Sequence, residues 1–149
     1  MKSVFNKTIK SSLLCGLIAA TGVLATGCSY MPMSKAEMPA QSVSLLEPSN
    51  GQIVTSPFKV RFGVQGMKVE PAGDIVANSG HHHLLINLDA LPAGEAVPFT
   101  EKHMHFGKGQ TEAEVKLAPG VYKLTAQFAN GEHASYGKAM SQTITVTVK

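Results

Sequence analysis

Apolar and polar residues alternate in short runs along most of this chain. Phe58-Lys59-Val60-Arg61-Phe62-Gly63-Val64 puts Phe58, Val60, Phe62 and Val64 on one face, the period of two expected of a half-buried strand. The same alternation recurs at residues 113–117, 121–128 and 143–148. Residues 43–46 make a further short strand, closed by the turn-rich cluster Glu47-Pro48-Ser49-Asn50-Gly51. Ala118-Pro119-Gly120 lies between two alternating runs and predicts a hairpin. Residues 82–88 read as another strand, and residues 106–111 begin as one and break at Gly107 and Gly109. Residues 67–79, 89–102 and 130–138 carry Pro, Gly or Asn without a period, and predict irregular chain. Seven short strands and no amphipathic helix predict an all-β domain, an immunoglobulin-like antiparallel β-sandwich.

The first residues depart from this pattern. Lys2, Lys7 and Lys10 precede an apolar, small-residue run over residues 13–25 with no acidic residue. A basic start, a short apolar core and small residues before a cut are the marks of a secretory signal, too short to span a bilayer. The run ends Leu24-Ala25-Thr26-Gly27-Cys28, which resembles the lipobox of bacterial lipoproteins and implies lipidation at Cys28. Residues 1–27 are therefore expected to be a lipoprotein signal peptide, and residues 28–42, with two prolines and no period, a lipidated flexible tether. Residues 43–149 form the single sandwich domain. Ser29 follows the cysteine where many inner-membrane lipoproteins have aspartate, so the resemblance implies a periplasm-facing protein anchored in the outer membrane.

Removing the leader changes the charge balance. The chain has 13 Lys+Arg and 10 Asp+Glu, and the leader holds three of the lysines and none of the acids, leaving ten of each. The mature chain is neutral, with no basic patch and no array of stacking aromatics, which excludes nucleic acid as a partner. Cys15 leaves with the leader and Cys28 is acylated, so the domain has neither thiol nor disulfide. Its stability rests on a packed core.

The chemistry concentrates in one place. Five of the six histidines fall between His81 and His105, and imidazole is the commonest transition-metal ligand. By the strand period, His82 shares a face with Leu84 and Ile86 and is expected to be a structural histidine hydrogen-bonded to backbone. His81 and His83 project from the other face, and His103 and His105 share a face of their own. If the two segments are antiparallel neighbours, three or four of these rings meet one ion. His133, in a loop before the last strand, is a further candidate. Met67, Met104 and Met140 are softer donors that would favour copper over zinc.

Three stretches resemble a known family: Asn78-Ser79-Gly80-His81-His82-His83-Leu84-Leu85-Ile86-Asn87, then His105-Phe106-Gly107-Lys108-Gly109-Gln110-Thr111-Glu112, then Leu117-Ala118-Pro119-Gly120. They are similar to domain of unknown function 4399, a family of bacterial envelope proteins, over about Phe58 to Val148. The Asn130 to His133 segment resembles the family's Asp/Asn-x-x-His, but the usual His-x-Pro-His continuation is absent. The resemblance places the site and supplies no chemistry.

The residues thus support an envelope-anchored binding module with a copper or zinc site at His81, His83, His103, His105 and His133. A structural or partner-binding envelope lipoprotein, its histidines serving as hydrogen-bonded architecture, is the alternative. A metal-dependent hydrolase is the third reading. No acid stands at a recognisable catalytic spacing from the histidines, and there is no phosphate loop, nucleophile elbow or His-Glu-x-x-His, so an enzyme is the weaker expectation.

Overall fold

The computed structural model describes residues 40–149. The expected signal peptide, Cys28 and all but the last residues of the tether lie outside the described residues. The first strand begins at Ser42, at the C-terminal edge of the expected tether.

Among the described residues nine strands follow in order: β1 (Ser42–Glu47), β2 (Ile53–Val54), β3 (Phe58–Gln65), β4 (Lys68–Val69), β5 (Ser79–Ile86), β6 (His103–His105), β7 (Glu112–Val115), β8 (Gly120–Ala129) and β9 (Ser141–Val148). One 3-10 turn, Lys138–Met140, precedes the last strand. The strands form two layers. One sheet has the order β1-β3-β7, and the other β2-β9-β8-β5-β4, with β6 also paired to β5. With the six longer strands lettered A, B, C, E, F and G in chain order, this is the A-B-E and G-F-C division of the immunoglobulin sandwich. The long pairs are all antiparallel; the two-residue strands β2 and β4 add short parallel contacts to β9 and β5.

Alternation accounts for the core. Phe58, Val60 and Phe62 of β3 point across the sandwich at Leu84 and Ile86 of β5, Leu124 and Ala126 of β8, and Ile144 and Val146 of β9, all buried in one cluster. Burying a side chain of this size contributes about 1.5–3 kcal/mol, so these positions carry most of the fold's stability.

Strand β5 departs from simple alternation: all eight of its residues are buried. Its inner face meets the opposite sheet, and its outer face lies under the 87–102 and 130–140 loops. Gln127, on the outer face of β8, holds that cover in place. Its Oε1 accepts from Leu91 N–H at 3.1 Å, and its Nε2 donates to the Gly137 and Met140 carbonyls at 3.1 and 3.2 Å. Thr125 Oγ1 donates to the Leu88 carbonyl at 2.8 Å.

Two boundaries differ from the sequence expectation. Strand β5 runs from Ser79 and stops at Ile86, because Asn87 has φ 58, a left-handed conformation that ends the ladder. The strand expected to begin at Phe106 instead ends at His105. Phe106 turns into the core against Phe62, ring centroids 5.0 Å apart, and Gly109, at φ 76, completes a turn.

Candidate metal centre

The triple histidine opens β5, and the pleat divides it. His82 faces inward, stacked on Phe62 with centroids 4.8 Å apart and planes at 15°, and edge-on to Phe128 at 5.0 Å. The inward direction follows the strand period, but the expected hydrogen bond to backbone is not there. Among the described residues neither ring nitrogen of His82 has a partner, because the surrounding side chains are apolar or aromatic. Burial, with the neighbouring His81, holds its pKa down at about 4, so it sits in the core as a neutral aromatic ring.

His81 and His83 lie on the outer face, both fully buried, with ring centroids 4.6 Å apart. Cross-strand register sets His105 opposite His83, and His105 Nδ1 lies 3.1 Å from His83 Nε2. His133 comes from the turn after β8. Asn130 shapes that turn, its Oδ1 accepting from the N–H groups of Glu132 and Ala134 at 3.0 and 2.9 Å. His133 itself has φ 67, a left-handed conformation that costs a non-glycine residue energy. That backbone aims Nδ1 at His81 Nε2, 3.0 Å away, and sets it 3.4 Å from both His83 Nε2 and His105 Nδ1.

The four nitrogens therefore converge: His81, His83, His105 and His133 each offer one ligand atom within 4.8 Å of all the others. The His83, His105 and His133 atoms form a triangle with edges of 3.1, 3.4 and 3.4 Å. A tetrahedral ion bonded to nitrogen at about 2.0–2.1 Å has ligand–ligand edges of about 3.3–3.4 Å. The triangle fits one face of that tetrahedron, and His81 adds a fourth nitrogen 3.0 Å from His133 and within 4.8 Å of the other two.

Protonation favours the same use. Burial, reinforced by the other imidazoles, pushes His81 down to about 4 and His83 down to about 2, and burial lowers His133 as well. At neutral pH the two inner rings are neutral and keep a lone pair. The His105 tautomer is set directly: Nε2 lies 2.9 Å from the Pro98 carbonyl, which can only accept, so Nε2 carries the proton and Nδ1 presents its lone pair to the cluster. A carbonyl holding the distal N–H is the usual support of a ligating histidine. Phe99 stacks on the outer face of the same ring, centroids 4.0 Å apart and planes at 10°.

The remaining candidates lie elsewhere. His103 pairs with Leu85 in the β5–β6 register, and its Nδ1 is 2.7 Å from Thr100 Oγ1, outside the four-nitrogen group. Met104 packs against the main core, and Met67 and Met140 belong to a second apolar cluster, so among the described residues the converging donors are the four nitrogens. Sequence reasoning missed Gln127, Pro98 and Phe99. The one signal for the covered outer face is the unbroken Leu84-Leu85-Ile86, which a one-sided strand does not need.

Residues 60–149 match the family described as Domain of unknown function (DUF4399), more than half of the chain, and the chain belongs to that family. No curated protein and no solved structure matches it.

Proposed function

We propose that this member of the DUF4399 family is a metal-binding module of the bacterial envelope, holding one zinc or copper ion through His81, His83, His105 and His133. The observation that carries the reading is the convergence of four ligand nitrogens within 4.8 Å of one another, with the His105 tautomer set for ligation by Pro98. Neutral imidazoles without carboxylate suit zinc and copper and disfavour magnesium, calcium and manganese. Among the described residues, Met67, Met104 and Met140 pack in apolar clusters, which turns the balance away from a Cu(I) site bound through their sulfurs.

One cost stands against this. The buried Nδ1 atoms of His81 and His83 have no hydrogen-bond partner among the described residues, and an unmatched buried N–H costs about 1–3 kcal/mol. Structural zinc sites contribute about 10–16 kcal/mol, so coordination outweighs both losses together.

Four protein ligands fill a tetrahedron, whereas a zinc hydrolase keeps one position open for water. The geometry therefore supports binding over hydrolysis. The lipobox-like run before Cys28 supports a lipid-anchored module, facing the periplasm from the outer membrane. Titrating the untagged full chain with Zn(II) and with Cu(II), beside His83→Ala/His105→Ala, tests the reading. One equivalent in the wild type and none in the double variant is the expected result; equal uptake by both ends it.

A second reading rests on the two shortest imidazole–imidazole contacts. The His81–His133 and His83–His105 separations of 3.0 and 3.1 Å are those of imidazole hydrogen bonds, which tie the cover to β5 without an ion. It predicts that the double variant loses stability in chelator by as much as it does in zinc.

A further inference from the structure

The four ligands belong to two different bodies. His81 and His83 are in β5, and His105 is in β6 paired to it, inside the sheet. His133 is carried by a short ribbon laid over it, in which residues 94–97 run antiparallel to residues 133–135. Ala96 bridges Ala134, Val97 N–H donates to the His133 carbonyl at 2.9 Å, and Ser135 N–H donates to the Glu95 carbonyl at 2.8 Å. The chain leaves this ribbon directly into Pro98 and Phe99, the two residues that hold His105: one through its carbonyl on Nε2, the other by stacking on the ring. One element thus supplies one ligand and orients another.

Phe99 is otherwise unexplained. It is 73% exposed, so core burial does not account for an aromatic residue there. Its ring covers His105 in a near-parallel stack and meets His133 edge-on at 5.0 Å. It touches both half-buried ligands, on the side by which an ion would leave, since His81 and His83 are closed off in the sheet.

Resting on the metal reading above, we propose that Pro98–Phe99 is a clamp on the outer ligands: Phe99 is a positioning residue that holds His105 and His133 on the ion and sets how fast the ion is released. The cargo is a borderline divalent cation, Zn(II) or Cu(II), given up by lifting the ribbon while β5 stays folded.

The test uses the full chain loaded with Zn(II) and a chromophoric chelator in excess, with Co(II) as a spectroscopic stand-in. Phe99→Ala is expected to bind one equivalent, keep the wild-type melting temperature without metal, and release zinc about two- to tenfold faster, the range that an aromatic stack is worth. Phe99→Trp, which restores the stack, is expected to return release to within about twofold of wild type. The Co(II) d–d bands should shift in Phe99→Ala alone, which loss of a merely structural contact would not cause. Unchanged release and unchanged Co(II) bands in Phe99→Ala, with one ion bound, overturn the clamp and leave the metal site standing. A wild type that binds no ion overturns both.

Discussion

His82 shows how far one residue can depart from its type. An imidazole buried with both nitrogens unmatched forgoes hydrogen bonds that water would supply, at about 1–3 kcal/mol for each unmet group. Its stacking on Phe62 and edge contact with Phe128 return about 0.5–1.5 kcal/mol per aromatic pair. The balance favours an apolar side chain of similar volume. His82→Leu is therefore expected to raise the stability of the metal-free protein by about 1 kcal/mol, read as a higher urea midpoint at unchanged slope. Its metal stoichiometry should equal that of wild type, because the ring points away from the other histidines. A lowered midpoint would mean that the imidazole has a partner in solution.

The elements around the site meet backbone to backbone, and two glycines permit it. A Cβ at Gly80 would lie 2.1 Å from the Ala129 carbonyl oxygen, where β5 meets β8; one at Gly131 would lie 2.2 Å from the Asp74 carbonyl. Neither obstacle is a side chain that can rotate away. The two positions differ in consequence. Gly80→Ala forces apart the strands that carry the core and is expected to cost more than about 2 kcal/mol. Gly131→Ala displaces the turn that holds His133 while leaving β5 and β8 paired. Its expected signature is zinc affinity reduced at least tenfold with a melting temperature, without metal, closer to wild type than that of Gly80→Ala. Calorimetric titration and thermal melts of both variants distinguish these outcomes.

At the scale of the whole molecule the buried histidines couple folding to pH. In the unfolded chain they titrate near 6.5, and in the fold His81 and His82 are held at about 4 and His83 at about 2. Between those values the unfolded chain binds more protons, so acid favours unfolding. Stability is full above about pH 6.5 and declines as the pH falls towards 4, with His83 extending the loss lower. Each histidine contributes up to about 1.4 kcal/mol per pH unit inside its window. Urea midpoints of the metal-free chain at pH 7.5, 6 and 5 should fall in that order; a flat series would show that the rings are not held neutral. Metal acts in the opposite direction. At a free ion concentration one hundred times Kd, binding adds about 2.7 kcal/mol, a rise of roughly 10 °C or more in a domain of this size. A scanning melt with and without zinc reads it, and His83→Ala/His105→Ala should lose the increment.

Much of this architecture is legible in the chain. Alternation in β3, β8 and β9 determines which residues face the core, because a period of two leaves a strand only one way to bury its apolar side. The same period is enough to separate His82 from His81 and His83, and the two His-x-His pairs mark where a site can form. Its membership was decided by contacts between residues distant in sequence. His133 enters because the turn after Asn130 adopts a left-handed backbone and lies on the 73–74 loop, and His103 sits apart because its register sets it opposite Leu85, two positions along β5 from His83. Gln127 becomes a buried anchor because a loop folds over a face that alternation alone would assign to solvent. Strand periodicity is a local property of the backbone, whereas the cover over β5 depends on long-range hydrogen bonds that no local pattern encodes.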